Sequence, residues 1–453
     1  MLTKDQSERL TRVGPGTPCG ELLRRYWHPI IPAAELSPER PKKLVRLLGE
    51  DLVIYRDPDG SYGCVAERCA HRGCSLYYGF LEDGGIRCAY HGWLWAADGR
   101  CLEQPFEPQQ SMLKYTVRLT AYPVQRMAGL LFVYLGPEPA PLLPRWDVFA
   151  REDGTRLIEV QPVIATNFLQ AMENSLDPTH VYYLHGHTLM TKGLRKSNSY
   201  RKIEGYEFER IPYGIVKKRI FGGDGHDTYQ EPGHPGLFPT ILRHHGEGRN
   251  GVNPYDGTMP IDMHLRIPID DHHTQVIWLG FTPSPDGSTT DPRTEEPQLV
   301  YVKTLMTEDG SEFHMETYPS QDSMAWVTQG AIANRAGEHL GAGDAGIVMW
   351  RQLLEEQIAI VEAGDDPINV FREQHDIIEF SPARAKVSGR YVPRDSEAAR
   401  NWREYLPGSR EAYLAGAKGA MSDDKCRQAP AQGDGYSSDR RTRPGALVAP
   451  LRS

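Results

Sequence analysis

Cysteine and histidine recur twice at close spacing: Cys69-Ala70-His71, then sixteen residues, then Cys88-Ala89-Tyr90-His91. A chain with this pattern has to fold so that two short loops each bring one thiolate and one imidazole to a shared site. Gly73, Gly79, Gly84, Gly85 and Gly92 supply tight turns for such loops, and Trp93 and Trp95 stand ready to shield what they hold. Two thiolates can hold one iron of a [2Fe-2S] cluster while two imidazoles hold the other, which raises the potential to roughly −150 to +300 mV. The competing occupant is a structural zinc ion. Cys-x-His is an unusual zinc arm, however, and the gap contains no finger helix. The expected occupant of Cys69, His71, Cys88 and His91 is therefore the cluster.

The text around this pattern reads as β-structure from Lys43 to about Gly136. Short apolar runs such as Leu44–Leu48 and Leu52–Tyr55 are broken by turn signals at Asp57-Pro58-Asp59-Gly60 and Ala97-Asp98-Gly99. With 453 residues the chain has room for two domains, each able to bury a core without disulfides. A Pro-rich stretch from Pro137 to Pro144 makes a linker into a second region. That region is α+β. A hairpin is expected over Ile261–Pro268 and Gln275–Phe281 with its turn at Asp270 to His273, and Ile347 to Ile358 has amphipathic helical spacing. The expected division is an N-terminal extension (1–42), the cluster domain (43–145), a larger domain (146–419), and a tail (420–453) that is either mobile or laid over a neighbour. No internal repeat is present.

Composition narrows the functional classes. The net charge is −9, from 51 basic and 60 acidic residues, and no basic block accompanies it, which argues against a nucleic-acid partner. Seven cysteines without a secretory signal do not suggest a disulfide framework, and the cytoplasm is the expected compartment. The longest apolar run, Leu130 to Leu135, is far too short to span a membrane.

A second polar constellation follows the linker. Asn174, Asp177 and His180 are three apart and form one stripe if helical, flanked by apolar Phe168, Leu169, Met172 and Leu176. His180 and His185 are five apart, which on a straight α-helix turns them well away from each other. Both can reach one ion only if the helix ends between them; Gly186 is consistent with that end, and Pro178 with a kink before it. Two imidazoles and one carboxylate on one face of iron leave positions open for dioxygen. His187 competes with His185 for this role, and Glu312, Glu316, Asp322, Glu338 and Asp344 are candidates for the carboxylate.

Cys69-Ala70-His71-Arg72-Gly73 and Cys88-Ala89-Tyr90-His91-Gly92-Trp93 resemble the Rieske motif of ring-hydroxylating oxygenases. Respiratory Rieske proteins carry an extra cysteine pair; here Cys74 lies in the first loop but Tyr90 stands in the second, so that bridge cannot form. Asp177-x-x-His180-x-x-x-x-His185 is similar to the iron motif of the same family, and Gln321-Asp322-Ser323-Met324-Ala325-Trp326 to the segment of phthalate-dioxygenase-like enzymes that carries the carboxylate ligand. The likeness extends over roughly residues 10 to 380 and is greatest to the phthalate-dioxygenase-like group, including the O-demethylases of lignin-derived biaryls such as dehydrodivanillate.

The resemblance implies a β-sandwich Rieske domain followed by a helix-grip domain, in which an antiparallel sheet wraps a long helix. It implies His180, His185 and Asp322 as ligands of a mononuclear Fe(II), and a homotrimer in which electrons pass from the cluster of one subunit to the iron of the next. Asp177 matches the aspartate that bridges the two centres. The chain shows no flavin or nicotinamide motif, so NAD(P)H oxidation falls to a separate reductase, with or without a ferredoxin between. The implied activity is that of a terminal oxygenase acting on an aromatic substrate, by O-demethylation or hydroxylation of a lignin-derived or carboxylated aromatic. Ring cis-dihydroxylation is the alternative within the family, and an electron carrier without oxygenase activity is the alternative outside it.

Three further patterns have ordinary explanations. Gly341-Ala342-Gly343-Asp344-Ala345-Gly346 matches Gly-x-Gly-x-x-Gly, but no strand precedes it. Asp270-Asp271-His272-His273 sits where a hairpin turn needs polar residues. His244-His245 can line a substrate pocket and Arg243 can meet a substrate carboxylate, although a structural role is expected for both.

Overall fold

The computed structural model describes residues 2–194, 203–221, 229–230, 233–245, 261–284 and 294–380. The tail from 420, with Cys426, lies outside these residues.

The cluster region is built from two small antiparallel sheets. Lys42–Leu47, Glu50–Arg56, Tyr62–Ala66 and Ala121–Tyr122 form the first, in that order. Leu52, Val53, Ile54 and Tyr55 are all buried because alternate side chains enter different cores. Leu52 and Ile54 join the main core of the molecule, whereas Val53 and Tyr55 pack with Cys69, Cys88, Trp93 and Trp95. The second sheet, Phe80–Glu82, Gly85–Arg87, Leu94–Trp95 and Cys101–Glu103, carries the Cys88 loop.

Part of the segment expected as an extension is integral to the fold. Trp27–Pro32 pairs with Leu130–Tyr134, which pairs in turn with Val124–Met127. Two prolines in Trp27–Pro32 conceal the strand from pattern reading, since proline fits a sheet at edges and irregularities. Here the strand is an edge, and its register shifts between Pro29 and Ile31.

The second region is a nine-stranded, mostly antiparallel sheet. Its spine runs Ile203–Ile211, Gly214–Phe221, His234–Leu237, Ile241–His245, Ile261–Asp270, His273–Pro283, Gly154–Val160 and Gln298–Tyr301, with Tyr229–Gln230 beside Gly214–Phe221. The expected hairpin is present as Ile261–Asp270 paired with His273–Pro283. The helix expected over 347–358 extends over Ala345–Glu362 and packs on the sheet, with Trp350 fully buried 5.5 Å from Phe238. A Cβ on Gly346 would come within 2.3 Å of the Phe208 ring, so only glycine lets the helix start this close to its strand. Gly341 to Asp344 lead into this helix, with the Gly341 N–H donating to Asp344 at 2.7 Å.

Buried ion pairs fasten these elements. Glu173 accepts from Arg335 at 2.9 and 2.8 Å and from Arg351 at 2.7 Å, which ties the Phe168–Ser175 helix to the long helix. Arg243 donates to Asp147 at 2.7 Å with both side chains almost fully buried, the structural role expected of it. The Asp270–His273 turn is occupied similarly: Asp270 bonds His273 at 2.8 Å, and Asp271 accepts from the Val13 N–H at 2.8 Å. Among the described residues no helix is long and apolar enough to cross a membrane.

Candidate metal centres

The two Cys/His loops have matching backbones. Gly73 N–H donates to the Cys69 carbonyl at 2.8 Å and Gly92 N–H to that of Cys88 at 3.0 Å. Both glycines have positive φ, +73° and +74°, which closes each turn in a conformation that residues with a Cβ rarely adopt. Cys69 and Cys88 are thereby buried, while His71 and His91 lie further out at intermediate exposure with ring centroids 4.6 Å apart. Trp95 Nε1 donates to Cys69 Sγ at 3.3 Å, and Trp93 stacks on His71 at 4.3 Å. Both tryptophans shield the site as the sequence suggested. The donor set is two buried sulfurs beneath two outer imidazoles, which fits a two-iron cluster held at one iron by sulfur and at the other by nitrogen. Cys74 is partly buried beside Cys88, and burial is the first cause that pushes its thiol pKa up.

His180, His185 and Asp322 are the one group of three or more His, Cys, Asp or Glu side chains among the described residues whose ligand atoms all lie within 4.8 Å of one another. The expectation that the helix ends between the two histidines is corrected. The Phe168–Ser175 helix stops before Asp177, and the chain then enters a π-helix, Val181–His187, that runs through Gly186 into Thr188–Thr191. Its wider i→i+5 winding brings residues five apart nearly above one another. The rings of His180 and His185 therefore meet edge to face with centroids 5.2 Å apart. No end signal at Gly186 is needed.

Asp322 lies on the Tyr318–Val327 helix, with Oδ1 3.3 Å from His185 Nε2 and 4.0 Å from His180 Nε2. The other carboxylates are engaged elsewhere: Glu316 with Lys192, Glu338 with Arg351, and Asp344 with the Gly341 N–H. Glu312 sits in a turn at Thr307, and His187 packs against Tyr183. Asp322 Oδ1 is buried without a hydrogen bond, facing two imidazole nitrogens. A buried anionic oxygen left in this state calls for a cation, and the donor set suits a non-heme iron.

Gln321, which the sequence reading passed over, fixes the ring of His185. Gln321 Nε2 donates to the Met315 carbonyl at 2.7 Å, leaving Oε1 to accept from His185 Nδ1 at 2.7 Å. The lone pair of His185 is then on Nε2, toward Asp322. Burial lowers the pKa of His185, but Asp322 and Gln321 outweigh it and the net direction is up. At His180 burial wins and the direction is down. Asp322 is raised by burial and lowered more strongly by His185, His180 and Arg266.

Asp177 faces both ways. Its Oδ1 accepts from the Thr179 N–H at 2.7 Å and hydroxyl at 2.8 Å, and its Oδ2 lies 3.4 Å from His180 Nδ1. Burial pushes its pKa up, yet His180 and Thr179 hold it well below the ordinary carboxylate value.

One face of the sheet turns toward the helices that lead to the triad, and the region between them is the chamber. Register places Lys217 opposite His234, Leu242 opposite both Gly236 and His264, His264 opposite Trp278, and Arg266 opposite Val276. This face looks toward the helices, since a Cβ on Gly236 would meet Leu176 and Trp350, and Lys217 Nζ donates to the Asp177 carbonyl at 2.9 Å. His244, on the same face, stacks 4.2 Å from His234. Met263, Leu265 and Ile267 alternate to the other side and join the main core. The strand Ile261–Asp270 thus looks uniformly buried, although one of its faces is polar.

Residues 26–123 match the Rieske [2Fe-2S] domain family, and residues 289–413 match the LigXa C-terminal domain like family. The chain is 36% identical to the 5,5'-dehydrodivanillate O-demethylase oxygenase subunit of Sphingobium sp., over 82% of this chain and 84% of that one. The chain belongs to the Rieske non-heme iron oxygenases. It is also 36% identical to the phenoxybenzoate dioxygenase subunit alpha of Ectopseudomonas oleovorans, over 82% and 89% of the two chains. Among solved structures, the carbazole 1,9a-dioxygenase oxygenase in complex with its ferredoxin shares the fold, with a TM-score of 0.54 at 23% identity over 83% of this chain and all of that one. The NdmA QL mutant of Pseudomonas putida with caffeine shares it too, with a TM-score of 0.57 at 17% identity over 80% and 99%. This Rieske oxygenase is an oxidoreductase and the oxygenase component of a multicomponent system, working with a [2Fe-2S] cluster and a mononuclear iron. A bare electron carrier is set aside.

Proposed function

We propose that Cys69, His71, Cys88 and His91 hold the cluster, that His180, His185 and Asp322 hold the iron, and that the substrate is an aromatic compound undergoing O-demethylation or hydroxylation. One observation supports this reading above the others: the triad converges beneath a polar sheet face in a chain that also carries a Rieske domain. Iron bound on one face by two imidazoles and a carboxylate supplies dioxygen activation, with electrons arriving through the cluster. Gln321 presents His185 in the required tautomer, Trp95 donates to the sulfur of the cluster ligand Cys69, and Asp177 orients His180. We assign residues 43–145 to the cluster domain and 146–419 to the catalytic domain, and place the protein in the cytoplasm.

The working assembly in this reading is a homotrimer in which Asp177 links the iron of one subunit to the cluster of the next, with a separate reductase supplying electrons. Exposed aromatics support it. Tyr90 lies beside the cluster ligand His91 and Tyr183 lies between His180 and His185, at 55% and 68% exposure, positions where a ring of subunits would cover them. The deciding experiment combines the purified oxygenase with a reductase, NADH and a panel of methoxylated and carboxylated aromatics. Formaldehyde with a phenolic product supports O-demethylation, a cis-diol supports ring dihydroxylation, and no product from any aromatic contradicts the reading.

A further inference from the structure

Arg266 is 2% exposed, and its Nε and Nη1 are buried without a hydrogen-bond partner among the described residues. The buried arginines Arg156, Arg243, Arg335 and Arg351 differ, each donating to carbonyl or carboxylate oxygens. A buried cation without an acceptor is costly, and such a group persists where something else completes it. Its position is specific. Strand alternation puts Arg266 on the chamber face with Asp262 and His264, opposite Val276. Its guanidinium lies 5.6 Å from the ring of Trp326, one turn beyond Asp322 on the same helix.

Beside it runs a row of stacked rings whose faces cover one another. His244, His264 and Trp278 stack in parallel, with interplanar angles of 3° and 5° and centroid separations of 5.7 and 4.0 Å. His264 precedes Arg266 by two residues on the same face, about 7 Å along the strand. An aromatic acid lying against the edges of this row would bring its acidic substituent to the guanidinium. Guanidinium is a planar fork that matches a carboxylate through two parallel hydrogen bonds.

We propose that Arg266 is the specificity-determining residue of the chamber, binding a carboxylate on the aromatic substrate while the remainder of the ring faces the triad. This rests on the aromatic-oxygenase reading above. Asp322 offers a competing role, since Arg266 also acts electrostatically on it. The two roles separate by experiment.

The test is isothermal titration of anaerobic holoenzyme with the three methoxybenzoates, each against its uncharged methyl ester. In the wild type the favoured acid should bind roughly tenfold or more tighter than its ester. Arg266→Met should weaken that acid roughly thirtyfold or more while changing the ester by less than about threefold. Arg266→Lys should give an intermediate acid affinity, retaining charge without the fork. Iron content should stay constant, and Arg266→Met should melt no lower than wild type because a buried unpaired charge has been removed. Equal weakening of acid and ester overturns the proposal, as does loss of iron or of melting temperature with the acid-to-ester ratio unchanged. A wild type that binds acid and ester alike yet oxidises them overturns the role of Arg266 and leaves the aromatic-oxygenase reading standing. A wild type that binds none of the six yet oxidises another aromatic of the panel overturns the role of Arg266 alone, and one that oxidises no aromatic contradicts both.

Discussion

At the level of single residues, the proposed iron site should depend on side chains that touch the ligands as much as on the ligands. Gln321→Leu keeps the volume but removes the acceptor that holds His185 Nδ1–H, so iron affinity should fall by roughly 10- to 100-fold. Chelator competition followed by metal analysis measures it, and an unchanged affinity would show that the tautomer needs no such support. Asp177 separates differently. Asn at this position can still accept from Thr179, which preserves the local turn, but it loses the charge beside His180. Asp177→Asn should therefore keep both metals and cost less than about 1 kcal/mol of stability. Reoxidation of its reduced cluster with substrate and dioxygen should slow at least about tenfold. Reoxidation at the normal rate would leave Asp177 with the Thr179 turn alone.

Among the elements, legibility followed chemistry more closely than geometry. The cluster loops were readable because cysteine, histidine and glycine stand at fixed offsets that nothing else in the chain imitates. The π-helix was not, because its winding arises from packing rather than from any residue that breaks a helix. The strand Trp27–Pro32 was hidden by its prolines, and the polar sheet face by being buried on both sides. That N-terminal strand also carries a pH dependence. His28 is buried with Nε2 2.8 Å from the Leu23 carbonyl, and burial is the main cause that lowers its pKa from 6.5 to about 4. Below 6.5 the unfolded chain takes up a proton that the folded one refuses, so this stability is complete above that value and is lost as pH falls toward 4. Between about pH 7 and about pH 5 the loss should be roughly 2 kcal/mol. His28→Gln, which retains a donor, should flatten that part of the profile in urea unfolding followed by tryptophan fluorescence; an unaltered profile would place the pH dependence elsewhere.

For the molecule as a whole, the proposed reading requires both metal sites to be filled for electrons to pass between them. The cluster loops are braced by their own small sheets, whereas the triad is assembled from the π-helix and the Tyr318–Val327 helix, so loss of one site should spare the other. The measurement that bears most directly on this arrangement is iron and acid-labile sulfide per chain in wild type and in His180→Ala, alongside the visible spectrum and turnover. Wild type should contain about three iron and about two sulfide per chain. His180→Ala should contain about two of each with the cluster spectrum intact and turnover lost. Full iron and retained activity in His180→Ala, or zinc in place of iron and sulfide in the wild type, would contradict the account.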